Sequence, residues 1–120
     1  MTARLALWAP LAWLLLLRAP PTSAHAFLDH AEPRVGSTVA SAPSAVTLTF
    51  TEPIEPAFSR VEVVDAGGKR IDTPAPEHPH PDVLRLSLPA LSPGRYTVHW
   101  AVVSVDTHPT EGSFTFSVKD

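Results

Sequence analysis

Residues 94–108 read GRYTVHWAVVSVDTH, and the first two thirds of this stretch decide the fold. Within it, large apolar side chains occupy every second position, at Tyr96, Val98, Trp100 and Val102. Because successive side chains of a β-strand point to opposite faces, this alternation predicts a strand with one face in the core. The intervening Thr, His and Ala residues predict an outer face that is in contact with solvent.

The same period of two recurs along the chain on both sides of this strand. The further rows are Val46, Leu48 and Phe50; Val61 and Val63; Leu84, Leu86 and Leu88; and Phe114, Phe116 and Val118. Ala66–Lys69 (AGGK) predicts a tight hairpin, and Thr73–Pro81 (TPAPEHPHP) predicts a polar, extended loop. No segment after residue 24 has a sustained helical period. The pattern predicts an all-β, seven-stranded Greek-key sandwich or barrel of immunoglobulin-like or cupredoxin-like type.

Composition excludes several classes of function. The 120 residues include 9 Lys and Arg, 12 Asp and Glu, 6 His and no Cys, and the formal net charge is −3. Without Cys the chain has no disulfide, thiolate metal site or Cys nucleophile. An acidic balance with no basic patch argues against nucleic acid as a partner, because phosphate contacts need clustered Lys and Arg. The six histidines are therefore the residues that deserve a functional explanation.

The N-terminal 24 residues are predicted to be a secretory signal peptide. Leu5–Leu17 is an apolar run of 13 residues that follows Arg4. A membrane-spanning helix needs roughly 20 apolar residues, so the run fits a signal peptide better than an uncleaved anchor. Cleavage would leave residues 25–120 as a domain of net charge −5 outside the cytoplasm, in the periplasm or secreted.

Two cleavage sites are compatible with the small-residue rule. A cut after Ala24 makes His25 the first residue of the mature chain, whereas a cut after Ala26 removes His25 and begins the chain at Phe27. The second cut is the better A-x-A match, so this rule leaves both open.

Asp106-Thr107-His108 follows directly on the Tyr96–Val102 row and is the first candidate for chemistry. If the backbone stays extended, residues two apart point to the same side, and Asp106 and His108 converge. A carboxylate and an imidazole suit a divalent metal, but the same pair could equally be a hydrogen-bonded surface pair. An N-terminal His25 would add an α-amine and an imidazole to this pair, and such a nitrogen-rich set favours Cu(II). His78 and His80, in the proline-rich loop, are either a weak accessory metal site or solvated side chains.

The chain after residue 24 resembles the CopC/PcoC family of copper-resistance proteins. The resemblance is based on three segments: HAFLDHAEPRVGS from His25, LTFTEP from Leu48 to Pro53, and PGRYTVHWAVVSVDTHP from Pro93 to Pro109. It implies a seven-stranded periplasmic β-barrel-like sandwich that is not an enzyme. It also implies one Cu(II) per chain, bound by the amine and imidazole of His25 with Asp106 and His108. Glu52 would be an outer-sphere or axial oxygen, and cleavage would follow Ala24.

Three functions follow for comparison. The first is a carrier or buffer that binds Cu(II) in copper resistance or uptake and passes it to a CopD-type inner-membrane copper transporter. Such a carrier would contact the membrane only through that partner or through an uncleaved signal peptide. The second is a metal-independent immunoglobulin-like interaction module. The third is a histidine-brace copper oxidase, against which the extra Asp106 ligand and the core positions of Tyr96 and Trp100 argue. Because Met1 is the only methionine, no Cu(I) thioether site is expected.

Overall fold

The computed structural model describes residues 25–120, so the predicted signal peptide lies outside the described residues. Within residues 25–120 no helix is long and apolar enough to cross a membrane. A 3₁₀ turn covers Pro56–Phe58. The strands are β1 (Leu28–Glu32), β2 (Thr38–Val39), β3 (Ala45–Phe50), β4 (Arg60–Val64), β5 (Glu77–His80), β6 (Val83–Ser87), β7 (Gly94–Val103) and β8 (Pro109–Val118).

The strands form two four-stranded sheets. Sheet A has the order β1-β3-β6-β5, and sheet B has the order β2-β8-β7-β4. All neighbouring strands are antiparallel except β2, which runs parallel to β8. The longest ladder joins β7 to β8 without a register shift, from Gly94 opposite Val118 to Val103 opposite Pro109. A single short turn, residues 104–108, therefore connects the two longest strands.

The core lies between the two sheets and is built from the alternating rows. Phe50 of sheet A meets Trp100 of sheet B edge to face, with ring centroids 5.3 Å apart. Tyr96 stacks on Phe116 at 5.6 Å. The Tyr96 hydroxyl donates a 2.6 Å hydrogen bond to the Ser92 carbonyl, which satisfies the one polar atom of this side chain. Side chains from both sheets thus fill one shared interior, as a chain without disulfides requires.

The structure confirms the all-β sandwich, but the number and placement of strands differ in detail. Residues 25–120 form eight strands instead of seven, and β2 has only two residues, too few to show a period. The predicted loop at Thr73–Pro81 is also partly wrong, because Glu77–His80 forms β5. Proline cannot donate to a ladder, and β5 is accordingly an exposed edge strand with irregular pairing to β6. A prediction based on composition therefore missed this strand.

Gly112 makes room for the largest core side chain. It lies directly opposite Trp100 in the β7–β8 ladder. A Cβ atom built on Gly112 would lie 2.6 Å from Cζ2 of the indole and 2.9 Å from Cε2. The ring is held between Phe50 and the bare backbone of β8, so neither side can yield easily.

Gly112→Ala is expected to lower the free energy of unfolding by about 1–3 kcal/mol, because it overpacks a filled core. Denaturant unfolding followed by the fluorescence of Trp100, the only tryptophan after residue 24, measures the change. Gly67→Ala is the matched control, since a Cβ there meets only an Asp65 carboxylate oxygen at an ordinary 3.5 Å. Equal stability of the two variants would contradict the packing argument.

Candidate metal centre

His25, Asp106 and His108 meet at one corner of the sandwich. The ring centroids of His25 and His108 lie 4.4 Å apart with the planes tilted by 52°. Nδ1 of His108 lies 3.1 Å from Oδ1 of Asp106. These two side chains are 47% and 38% exposed, so the group is open to solvent on one side and supported by protein on the other.

Asp106 and His108 come together through a turn and not through an extended strand. The Thr107 amide donates to the Ser104 carbonyl at 2.8 Å, and the Ser104 amide donates to the His108 carbonyl at 3.0 Å. Thr107 has φ +71°, a left-handed conformation that is strained for a β-branched residue. The expectation of an extended backbone from 106 to 108 was therefore wrong, although the two side chains do converge.

Ser104 organises this turn, although it was not among the residues predicted to form the site. Its hydroxyl donates a very short hydrogen bond to Oδ1 of Asp106 and accepts one from the His108 amide at 3.2 Å. The side chain is 1% exposed. The signal was available, because Ser104 continues the inward-facing row of Trp100 and Val102, where a polar residue needs a specific partner.

The N-terminal segment is fixed to both sheets before it reaches the corner. Ala26 is completely buried in the core, and its carbonyl accepts a hydrogen bond from the hydroxyl of Thr110 in β8. The Phe27 amide donates to the Thr51 hydroxyl at 3.0 Å, and the Thr51 amide donates to the Phe27 carbonyl at 2.8 Å. These contacts hold the preceding residue, His25, against His108 from a position more than 80 residues away in sequence.

The other predicted candidates, Glu52, His78 and His80, lie on different segments of the chain. Glu52 is half-buried and directly follows Thr51, whose hydroxyl accepts from the Phe27 amide. His78 and His80 lie on the exposed strand β5, where they line a separate groove. His30 pairs with Asp29 at 2.8 Å, and His99 faces outward from sheet B beside Glu62, so neither contributes to the corner.

The donor atoms suit a divalent ion of intermediate softness. Two ligand atoms that each lie about 2.0–2.1 Å from a metal ion, with a ligand–metal–ligand angle of about 90°, are roughly 2.9 Å apart. The 3.1 Å between Nδ1 of His108 and Oδ1 of Asp106 is close to that separation. Asp106 can thus bind an ion beside His108, or hold the ring so that its other nitrogen does. Within the described part of the chain, no three His, Asp or Glu side chains already have a ligating arrangement, so binding would draw them together.

The fold and this corner define a cupredoxin-like β-sandwich with a nitrogen and oxygen donor set at one end. The model of the CopC domain matches residues 28–119. Protein YobA of Escherichia coli K12 is 42% identical over 106 residues, which cover 86% of each chain. Copper transport protein CutJ of Bacillus subtilis is 34% identical over 118 residues, which cover 92% of this chain but 21% of that longer protein.

Two solved structures are similar over nearly their whole length. CopC from Methylosinus trichosporium OB3b has a TM-score of 0.73 and 35% identity, covering 79% of this chain and 94% of that one. PcoC from Escherichia coli, described as a methionine-rich copper resistance protein, has a TM-score of 0.74 and 28% identity, covering 80% and 100%. The chain belongs to the CopC family. Its function is therefore related to copper, and the family is one of copper-binding and resistance proteins, not of enzymes.

Ser104→Ala is expected to loosen the turn, because Asp106 and the His108 amide both lose a partner. The free energy of unfolding should fall by about 1–3 kcal/mol, and exchange of the Thr107 and His108 amide protons should accelerate relative to the β7–β8 ladder. Ser113→Ala, on the exposed face of β8, is the matched control and should change neither. Unchanged amide exchange in Ser104→Ala would show that the hydroxyl does not organise the turn.

Proposed function

We propose that the chain is an extracytoplasmic carrier or buffer for Cu(II) that binds one ion at the corner of His25, Asp106 and His108. The observation that carries the proposal is the 4.4 Å approach of the His25 and His108 rings, with Asp106 against His108. Membership of the CopC family and similarity to a copper resistance protein of known structure support copper as the ion.

The donor set favours the oxidised ion. The corner offers imidazole and carboxylate, the described residues contain neither Cys nor Met, and Met1 is the only sulfur-containing residue of the sequence. Imidazole and carboxylate suit Cu(II), whereas Cu(I) is selected by thiolates and thioethers. A Cu(I) site with methionine ligands, for which the methionine-rich relative PcoC has suitable residues, is therefore not proposed for this chain.

The fourth donor depends on cleavage after Ala24. In the 120-residue chain the backbone nitrogen of His25 is a peptide nitrogen, and cleavage there converts it to an amine beside its own imidazole. The burial of Ala26 and the bond from the Phe27 amide to Thr51 support this position. A cut after Ala26 would delete a core residue and place a charged ammonium where that amide now donates.

Partial exposure of the corner supports transfer of the ion. An incoming ligand could displace the donors one at a time, because Asp106 and His108 are each more than a third exposed. The receiver would be a CopD-type inner-membrane copper transporter. The match to about a fifth of a longer copper transport protein supports this pairing, since there a domain like this one is part of the same polypeptide as the transport protein.

A chain that begins at His25 is expected to bind one Cu(II) tightly, with the spectrum of a nitrogen-rich tetragonal site. His108→Ala and Asp106→Ala should each weaken binding by at least roughly tenfold, because loss of even an outer partner of a metal ligand costs about 10–100-fold. Competition titration against a Cu(II) chelator gives the affinities, and His99→Ala is the control. Affinity should fall on acidification, because protons compete for the amine and the imidazoles. Unchanged binding in both corner variants would overturn the site.

The amine is tested by comparing two N-termini. A chain retaining residues 19–24 keeps the His25 imidazole but not its amine, so its affinity for Cu(II) should be at least roughly tenfold lower. Its affinity should also depend less on pH near the usual amine pKa of about 7.7–8.0. The mass of the secreted protein should correspond to a chain that starts at His25. A natural N-terminus at Phe27, or equal affinity of the two chains, would contradict the role of the amine.

A further inference from the structure

We infer that the groove along β5 is a second, weaker divalent-metal site, with His78 and His80 as its nitrogen donors and Glu55 as its oxygen donor. Metal binding there does not depend on the site at His25 and His108. The groove has a volume of about 380 Å³ and is lined by these three side chains, by Val105 and by prolines of two neighbouring segments. Val105 precedes Asp106, so the groove adjoins the corner described above.

The strand geometry brings the two imidazoles to one side. His78 and His80 are two residues apart on β5, the spacing that places side chains on the same face of a strand. Both side chains line the same groove, so they share it despite the irregular pairing of β5 with β6. The ring of Pro79 between them fixes one backbone torsion, which reduces the conformational entropy that binding would cost.

The hydrogen bond of His78 already prepares its ring to be a ligand. Nε2 of His78 lies 3.1 Å from the carbonyl oxygen of Pro81. A carbonyl can only accept, so Nε2 is the donor, and in the neutral ring the lone pair is then on Nδ1. A ring held in this way, with one nitrogen bonded to a carbonyl and the other bearing a lone pair, is the usual state of a metal-binding histidine.

Glu55, from a different segment that also lines the groove, supplies the oxygen. It is the residue before the 3₁₀ turn at Pro56–Phe58, yet its side chain makes no capping hydrogen bond there. Its carboxylate is therefore not committed to the turn that it precedes. Two imidazoles with one carboxylate suit Cu(II) or Zn(II), with solvent in the remaining positions.

This site should be weaker than the corner. Both histidines are exposed, so binding must immobilise side chains at the protein surface, and no α-amine is available there. The three side chains must also close together, because none of the described residues form a ready group of three.

The experiment titrates Cu(II) alone into the ¹⁵N-labelled chain that begins at His25. The first equivalent should broaden amide signals around His108, and the second should broaden those around His78 and His80. His78→Ala/His80→Ala should abolish the second effect and leave the first, and Glu55→Gln should raise the second dissociation constant at least roughly threefold. His30→Ala/His99→Ala removes the same number of exposed histidines and is the matched control.

His108→Ala separates this inference from the proposed function. It should remove the first site and keep the one on β5, so the two sites can fail independently. A second equivalent that survives His78→Ala/His80→Ala, or that broadens signals around His30 or His99 instead, would overturn the site on β5. Broadening around β5 that disappears in the double variant would support it. Because β5 lies on an exposed edge, Trp100 fluorescence in denaturant should confirm that the double variant is folded.

Discussion

The uninterrupted pairing of β7 with β8 is the constraint on which the rest of the molecule depends. It brings the inward-facing side chains of both strands into one layer and leaves Gly112 beneath the Trp100 ring. It also fixes both ends of the turn at residues 104–108. The turn has few alternatives once its ends are paired, so the strained φ of Thr107 is tolerated and Asp106 is held against His108.

The corner is assembled from segments that are far apart in sequence, and polar contacts at its base hold them together. Ser104, buried at the end of the β7 row, binds Asp106 and the His108 backbone. Thr51, directly after β3 of sheet A, and Thr110, in β8 of sheet B, bind the segment that follows His25. These two hydroxyl groups thus connect segments that are distant in sequence, next to the candidate ligands.

The sequence predicted most reliably what repeats along the chain. The row from Tyr96 to Val102 predicted β7 and its buried face, because a period of two has a direct physical cause. Prediction from the sequence failed for β5. The proline-rich composition suggested a loop there, whereas the strand forms because it pairs with β6 at the edge of the sheet. The contact of Asp106 with His108 was expected from their spacing for the wrong reason, since the backbone turns. Donor chemistry raised a joint site of His25 and His108 as one possibility, and family resemblance implied it, but periodicity carries no information about contacts over such a separation.

The attachment of the N-terminal segment has a mechanical consequence. His25 leads into β1 of sheet A, whereas His108 lies in the turn between two strands of sheet B. An ion held by both would cross-link the two sheets of a chain that has no covalent cross-link of its own. Occupancy and resistance to unfolding would then be linked, because a ligand that binds only the folded chain stabilises it. If that ion is copper, the stability of the folded chain would increase with the supply of copper.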